Sequence, residues 1–307
     1  MEHCYDMIVI GGGPGGYTAA LYATRAGLDT LVLEMLSAGG QMALTDTIDN
    51  YPGFESGVDG FTLGEKMQQG AERFGAKTEL AQVYSVALET KIKKVDTSEG
   101  VFYGKTVVIA TGATPRELGL PGEKELIGKG VNYCAACDGM FFKGKAVAVI
   151  GGGNTAAEDA LLLSRICSKV FVVHRRDTLR ATKVYHEQLM KAANVEFKWN
   201  SVTEELLRGD KLTGLKLRDV KTGAVSNVEC DGVFVSIGRN PATKFLQGQL
   251  ELDAGGYIVA GESTKTNIPG VFAVGDVRTK PLRQVVTAVA DGAVASYYAE
   301  EYLAENS

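Results

Sequence analysis

A chain of 307 residues, 45% apolar and 22% charged, has the balance of an ordinary globular protein and exceeds the size of a single core, so two domains are expected. With 32 basic against 37 acidic residues, a net charge of −5 and its Lys and Arg spread along the chain, a broad nucleic-acid-binding face is excluded. The longest apolar stretches, such as Val107 to Ala110 and Ala146 to Ile150, are too short to cross a bilayer, and Met1 to Ile10 lacks the marks of a signal peptide, so no membrane association and a cytoplasmic location are expected.

Tyr5 to Ile10 reads as a short buried strand, Gly11 to Gly16 as a turn, and Tyr17 to Arg25 as a helix ended by Gly27; Thr30 to Leu33 is a second strand. The turn, Gly11-Gly-Gly13-Pro14-Gly-Gly16, fits G-x-G-x-x-G after a strand and before a helix. There, glycines let backbone N–H groups and a helix N-terminus approach a pyrophosphate. Glu34, closing the second strand, can accept hydrogen bonds from a ribose diol or can be a solvated strand end.

The segment Val107 to Pro115, an apolar strand ending in Gly112 and a proline, is echoed by Val233 to Pro241 with Gly238. Both read as places where the chain leaves one domain for another, with hinges at Thr111 to Arg116 and Gly238 to Thr243. Between them, of five cysteines in the chain, only Cys134 and Cys137 lie close together, which is no framework for a disulfide-stapled secreted domain. Two thiols separated by two small residues can close a tight disulfide and exchange with another. Asp138 follows directly; buried there, its pKa should rise and let it donate a proton to a departing thiolate. The chain has no second C-x-x-C, which argues against zinc. Cys4, Cys167 and Cys230 stand alone in apolar surroundings and read as small core residues.

The opening plan then repeats. Ala146 to Ile150 is a strand, Gly151 to Ala156 a turn, Ala157 to Ile166 a helix and Val170 to Val173 a strand. The turn, Gly151-Gly-Gly153-Asn154-Thr155-Ala156, fits G-x-G-x-x-A. At the distance past it where the first unit has Glu34 stands His174, followed by Arg175 and Arg176. A carboxylate there would repel the 2′-phosphate of NADPH, whereas guanidinium groups hold it by charge-assisted hydrogen bonds, with Arg180 close enough to join them. A solvated basic loop is the alternative. Towards the end, Gly275-Asp276 closes a strand, where the carboxylate can bind flavin ribityl hydroxyls or cap a turn. The last helix, Gln284 to Leu303, begins beside Arg283, and its positive end can face an isoalloxazine. FAD is therefore expected on the first unit and NADPH on the second. The fold class is α/β, with a second Rossmann-like domain (116–242) inserted into a discontinuous first one (1–115 and 243–307).

Along nearly its whole length the chain resembles the low-molecular-weight thioredoxin reductases. The likeness rests on Gly11 to Gly16, Gly39-Gly-Gln41, Ala110-Thr-Gly112, Cys134-Ala-Ala-Cys-Asp138, Gly151 to Ala156, His174-Arg-Arg-Asp177 with Arg180-Ala181, Gly270 to Asp276, and Arg283-Gln284 with Thr287-Ala288. The resemblance implies hydride transfer from NADPH to FAD, then electrons to the Cys134/Cys137 disulfide, then to thioredoxin. Cys137 would face the flavin, Cys134 would attack the substrate, and Asp138 would be the acid. It implies cofactor contacts also at Gly40, Gln41, Asn50, Ala110, Thr111, Gly112, Ile237 and Gly238. It further implies a homodimer, and rotation of one domain against the other about the two hinges. The larger glutathione reductase type is disfavoured, because residues 35–60 hold no Cys and no His follows His186. Ferredoxin-driven relatives are disfavoured by Arg175 and Arg176. A different dithiol protein as substrate stays open, and so does, less favourably, a flavin-binding redox sensor.

Overall fold

In the computed structural model, which describes residues 3–246 and 248–306, the chain forms two compact units. One comprises Met1–Thr114 with Asn240–Ser307, the other Pro115–Arg239. The chain opens with β1 (Cys4–Ile10), α1 (Pro14–Arg25) and β2 (Thr30–Glu34). After α2 (Gly60–Glu72) come β3 (Lys77–Leu80), β4 (Val83–Ala87), β5 (Lys93–Thr97) and the long β6 (Gly100–Ile109). These strands form one sheet in the order β3-β2-β1-β6-β5-β4. Met7 to Val9 and Leu31 to Leu33 are buried on both faces of it, which is why they read as continuous apolar runs rather than alternating ones.

The helix α1 begins three residues earlier than its Ala and Leu spacing suggests, with Pro14 in its first turn, where a missing N–H costs nothing. It ends as expected at Gly27. That residue adopts a left-handed φ of 84°, and the N–H groups of Gly27 and Leu28 return to the carbonyls of Thr24 and Ala23.

A short strand, β7 (Ala113–Pro115), leads out of the first unit. The second unit contains β8 (Val131–Asn132), the single-turn α3 (Ala135–Asp138), β9 (Ala146–Ile150), α4 (Asn154–Ser164), β10 (Lys169–Val173), α5 (Lys183–Lys191) and β11 (Val195–Lys198). It continues through β12 (Ser201–Arg208), β13 (Leu212–Asp219), β14 (Val225–Glu229) and β15 (Gly232–Val235). The parallel sheet β11-β10-β9-β15-β8 carries a separate antiparallel layer, β12-β13-β14. As in α1, the last three residues of the expected glycine turn already belong to the helix.

The chain re-enters the first unit through β16 (Arg239–Pro241), which pairs with β7. It then adds β17 (Val271–Ala273) beside β6 and ends in α6 (Val285–Glu305). α6 lies across α1 so closely that a Cβ on Gly292 would sit 2.2 Å from the Gly15 carbonyl oxygen. Tyr17, Ala19, Ala20 and Ala23 of α1 share one core with Ala295 and Ala299 of α6.

Candidate active site

Register gathers the residues of the first unit. Ile10 lies opposite Leu33 and Ile109, and Ile109 opposite Ala273, so the segments following β1, β2, β6 and β17 leave the sheet at one edge. That carboxyl edge is where open α/β sheets bind ligands. Gly11 takes a φ of 106°, and a Cβ there would meet the Ala110 oxygen at 2.5 Å, so the chain can turn only as glycine. A Cβ on Gly13 would meet nothing within 4 Å, which leaves the loop open outward. The carboxylate of Glu34 is buried and accepts the backbone N–H groups of Gly12 (2.6 Å), Met35 (2.9 Å) and Leu36 (3.0 Å).

The turn holding Gly40 and Gln41 is tied to this loop by the Gly39 N–H, which donates to the Gly12 carbonyl. Ala110, Thr111 and Gly112 follow β6, with the Thr111 hydroxyl on the Ala242 carbonyl. Gly275 and Asp276 follow β17, and Arg283 donates to the Asp276 carbonyl while lying over the Tyr257 ring. Gln284 caps α6 in a reciprocal pair with Thr287, and the Asn50 amide donates to its side-chain oxygen at 3.0 Å.

The second unit repeats the edge. Ile150 lies opposite Val173 and Val235, which brings the loop Gly151–Ala156 beside His174 and Ser236. A short stretch after β10 is stapled over the loop. The N–H groups of Arg180 and Ala181 donate to the Gly152 carbonyl, and the Thr182 N–H donates to the Asn154 side chain. The His174 ring sits on Gly152, where a Cβ would come within 2.2 Å of it. Burial, together with the positive charges of Arg180, Arg176 and Arg175, pushes its pKa below the ordinary value, so it is neutral at pH 7. Arg175, Arg176 and Arg180 are exposed, each near enough for its charge to act on His174, while the adjacent Asp177 is paired with Lys221 at 2.9 Å. Gly153 is open outward like Gly13, Thr155 is exposed, and Ile237 and Gly238 continue beyond β15.

Cys134 and Cys137 are joined in a disulfide. Cys134 caps α3, its sulfur accepting the Cys137 N–H at 3.2 Å. Asp138 ends that turn, and burial pushes its pKa up to about 6. Burial also raises the thiols of Cys167 and Cys230, to about 11 and about 12, which keeps them unreactive near neutrality. Among the described residues no cluster of His, Cys, Asp and Glu could hold a metal ion, and no helix is long and apolar enough to cross a membrane.

Three features escape the sequence reading. Glu123, fully buried, accepts N–H groups from Leu118, Gly119 and Leu120 and the hydroxyl of Tyr133, and so anchors the segment leading into Cys134. Asp159 on α4, pushed by burial to a pKa of about 6, accepts the Ser236 hydroxyl at 2.5 Å. Met140 and Phe141 stand exposed just past the dithiol. Only the last had a signal in the chain, two large apolar residues beside a reactive motif.

The pyridine nucleotide-disulphide oxidoreductase family matches residues 5–292. The chain belongs to this family, among its thioredoxin reductases. It is 47% identical over 307 residues to thioredoxin reductase of Streptomyces coelicolor, covering 99% of this chain and 95% of that one. The thioredoxin reductase of Listeria monocytogenes is 46% identical over 305 residues, with the same coverage. The crystal structure of thioredoxin reductase from Streptococcus pyogenes superposes with a TM-score of 0.91 at 42% identity, covering 99% of this chain and 100% of its own. Family membership agrees with the α/β class and the enzyme type expected from the motifs.

Proposed function

We propose that this protein is an NADPH-dependent thioredoxin-disulfide reductase carrying FAD. The observation that carries the reading is a closed Cys134–Cys137 pair beside a high-pKa Asp138, in a chain with two dinucleotide loops of opposite charge character. FAD belongs to residues 1–115 and 243–307, and NADPH to residues 116–242. Both loops fit a pyrophosphate, because each presents the N-terminus of a helix with a glycine facing open space. Bound flavin supplies the two-electron relay between nicotinamide and disulfide.

Glu34 receives the adenosine ribose, exchanging part of its backbone partners for hydroxyls. Asp276, Arg283, Gln284 and Asn50 line the flavin end. Arg175, Arg176 and Arg180 hold the 2′-phosphate, and His174, neutral, supports the loop beneath them. In the reduced enzyme the Cys134 thiolate attacks one sulfur of the substrate disulfide and expels the other as a thiolate. Cys137 then attacks Cys134, closing the internal disulfide and releasing the second substrate thiolate. Asp138, half protonated near pH 6, supplies a proton to a leaving sulfur. Exposed Met140 and Phe141 offer apolar contact to a protein partner rather than to a small disulfide. A homodimer and a cytoplasmic location complete the proposal.

Replacing Cys134 by Ser is the direct test. The variant should bind FAD and still bleach with NADPH, yet lose thioredoxin reduction by at least about a thousandfold, as expected when a nucleophile is removed. Retained turnover with thioredoxin and DTNB would refute the assignment.

A further inference from the structure

Under the first turns of α6 lies an ion cluster that neither dinucleotide loop nor the dithiol requires. Arg278 grips Asp291 at two points, Nε to Oδ2 at 2.9 Å and Nη2 to Oδ1 at 2.6 Å, and Lys280 Nζ donates to the same carboxylate at 2.7 Å. The three side chains are 3%, 8% and 4% exposed respectively. Arg278 spends its remaining nitrogen on the carbonyls of Ala260 and Thr279. Burial alone would raise the pKa of Asp291, but hydrogen bonds from Arg278, Lys280 and the Gly275 N–H outweigh it and hold the carboxyl below its ordinary value.

The cluster therefore holds two positive charges and one negative. One cation satisfies a buried carboxylate; a second is costly to desolvate unless negative charge arrives beside it. Two contacts tie the cluster to the turn and helix end beside it. The Gly275 N–H binds Asp291 at 2.8 Å, which fixes the turn after β17, and Lys280 Nζ binds the Thr287 carbonyl in the first turn of α6 at 3.1 Å. Turn and helix end are the parts assigned above to the flavin, and on that assignment the inference rests.

We propose that Lys280 is a positioning residue whose buried charge, seated on Asp291 beneath α6, makes the bound flavin easier to reduce. A flavin gains negative charge when it takes up two electrons, and an unbalanced cation at this depth is poorly screened by solvent. The test is the flavin midpoint potential of the FAD-loaded full chain, by equilibration with a reference dye. Lys280→Gln removes the charge but keeps a donor for Asp291 and Thr287, and Lys280→Met removes both. Either, once folded, should shift the two-electron equilibrium about tenfold towards oxidised flavin, about 30 mV, while Lys280→Arg stays at the wild-type potential. An unchanged potential in Lys280→Gln, or an equal drop in Lys280→Arg, overturns the proposal alone. Wild-type protein that takes up no FAD overturns it together with the flavin assignment.

Discussion

The two glycine loops share a backbone plan and differ at the residue closing the neighbouring strand. Glu34 closes β2, buried and surrounded by three N–H donors; just past β10 stands His174, buried, neutral and followed by exposed Arg175 and Arg176. On the proposed assignment, each loop and helix end takes a pyrophosphate through main-chain groups, which both settings share. On that same assignment, the ribose each loop accepts is decided at one strand end, by the sign of the charge placed there.

The sharpest way to break this contrast is to strip the second strand end of its charge. Arg175→Ala with Arg176→Ala should lower the ratio of kcat/KM for NADPH to that for NADH by about a hundredfold or more, two charge-assisted hydrogen bonds being lost. An unchanged ratio would mean that these arginines are solvated surface. A smaller effect is expected on the other side, where Glu34→Gln should weaken FAD binding about tenfold in equilibrium dialysis and leave the KM for NADPH unmoved.

The smallest effect separates the two units by their carboxylates. Asp291 is held down by donors, whereas Asp138 is pushed up to about 6 from 3.8 by burial. For Asp138 the folded value lies above the unfolded one, so the native state binds the proton more tightly and its stability falls as pH rises through 6. Asp138→Asn should thus be more stable than wild type by about 1–3 kcal/mol at pH 7.5, a gain that closes as pH approaches 4. Thermal melts across that range check the sign, and the same variant should reduce thioredoxin more slowly.

Both strand-loop-helix units and the dithiol were legible because each is encoded by neighbours in the chain. Glycine spacing, apolar runs and the residue at a strand end all fall within one strand-loop-helix stretch. The helix starts were displaced, since Pro14 and Asn154 belong to first turns whose free N–H groups make them look like loop. Two of the contacts that stayed hidden depend on how elements pack rather than on residue spacing. Asp159 meets Ser236 only because β15 lies beside β9, and Asp291 meets Arg278 and Lys280 only because α6 folds back under the turn after β17. The antiparallel layer had a local mark, Leu215 and Leu217 alternating with Lys216 and Arg218, that the sequence reading leaves unused.

The packing of α6 on α1 has a bearing on how the polypeptide is made. Pro115–Arg239 is continuous and can fold as it emerges from the ribosome, whereas Tyr17 and Ala23 must wait for a helix encoded more than 250 residues downstream. Until then α1 keeps an apolar helix face uncovered, and translation arrested before Val285 would leave the unit Pro115–Arg239 complete and the other unit without its closing helix.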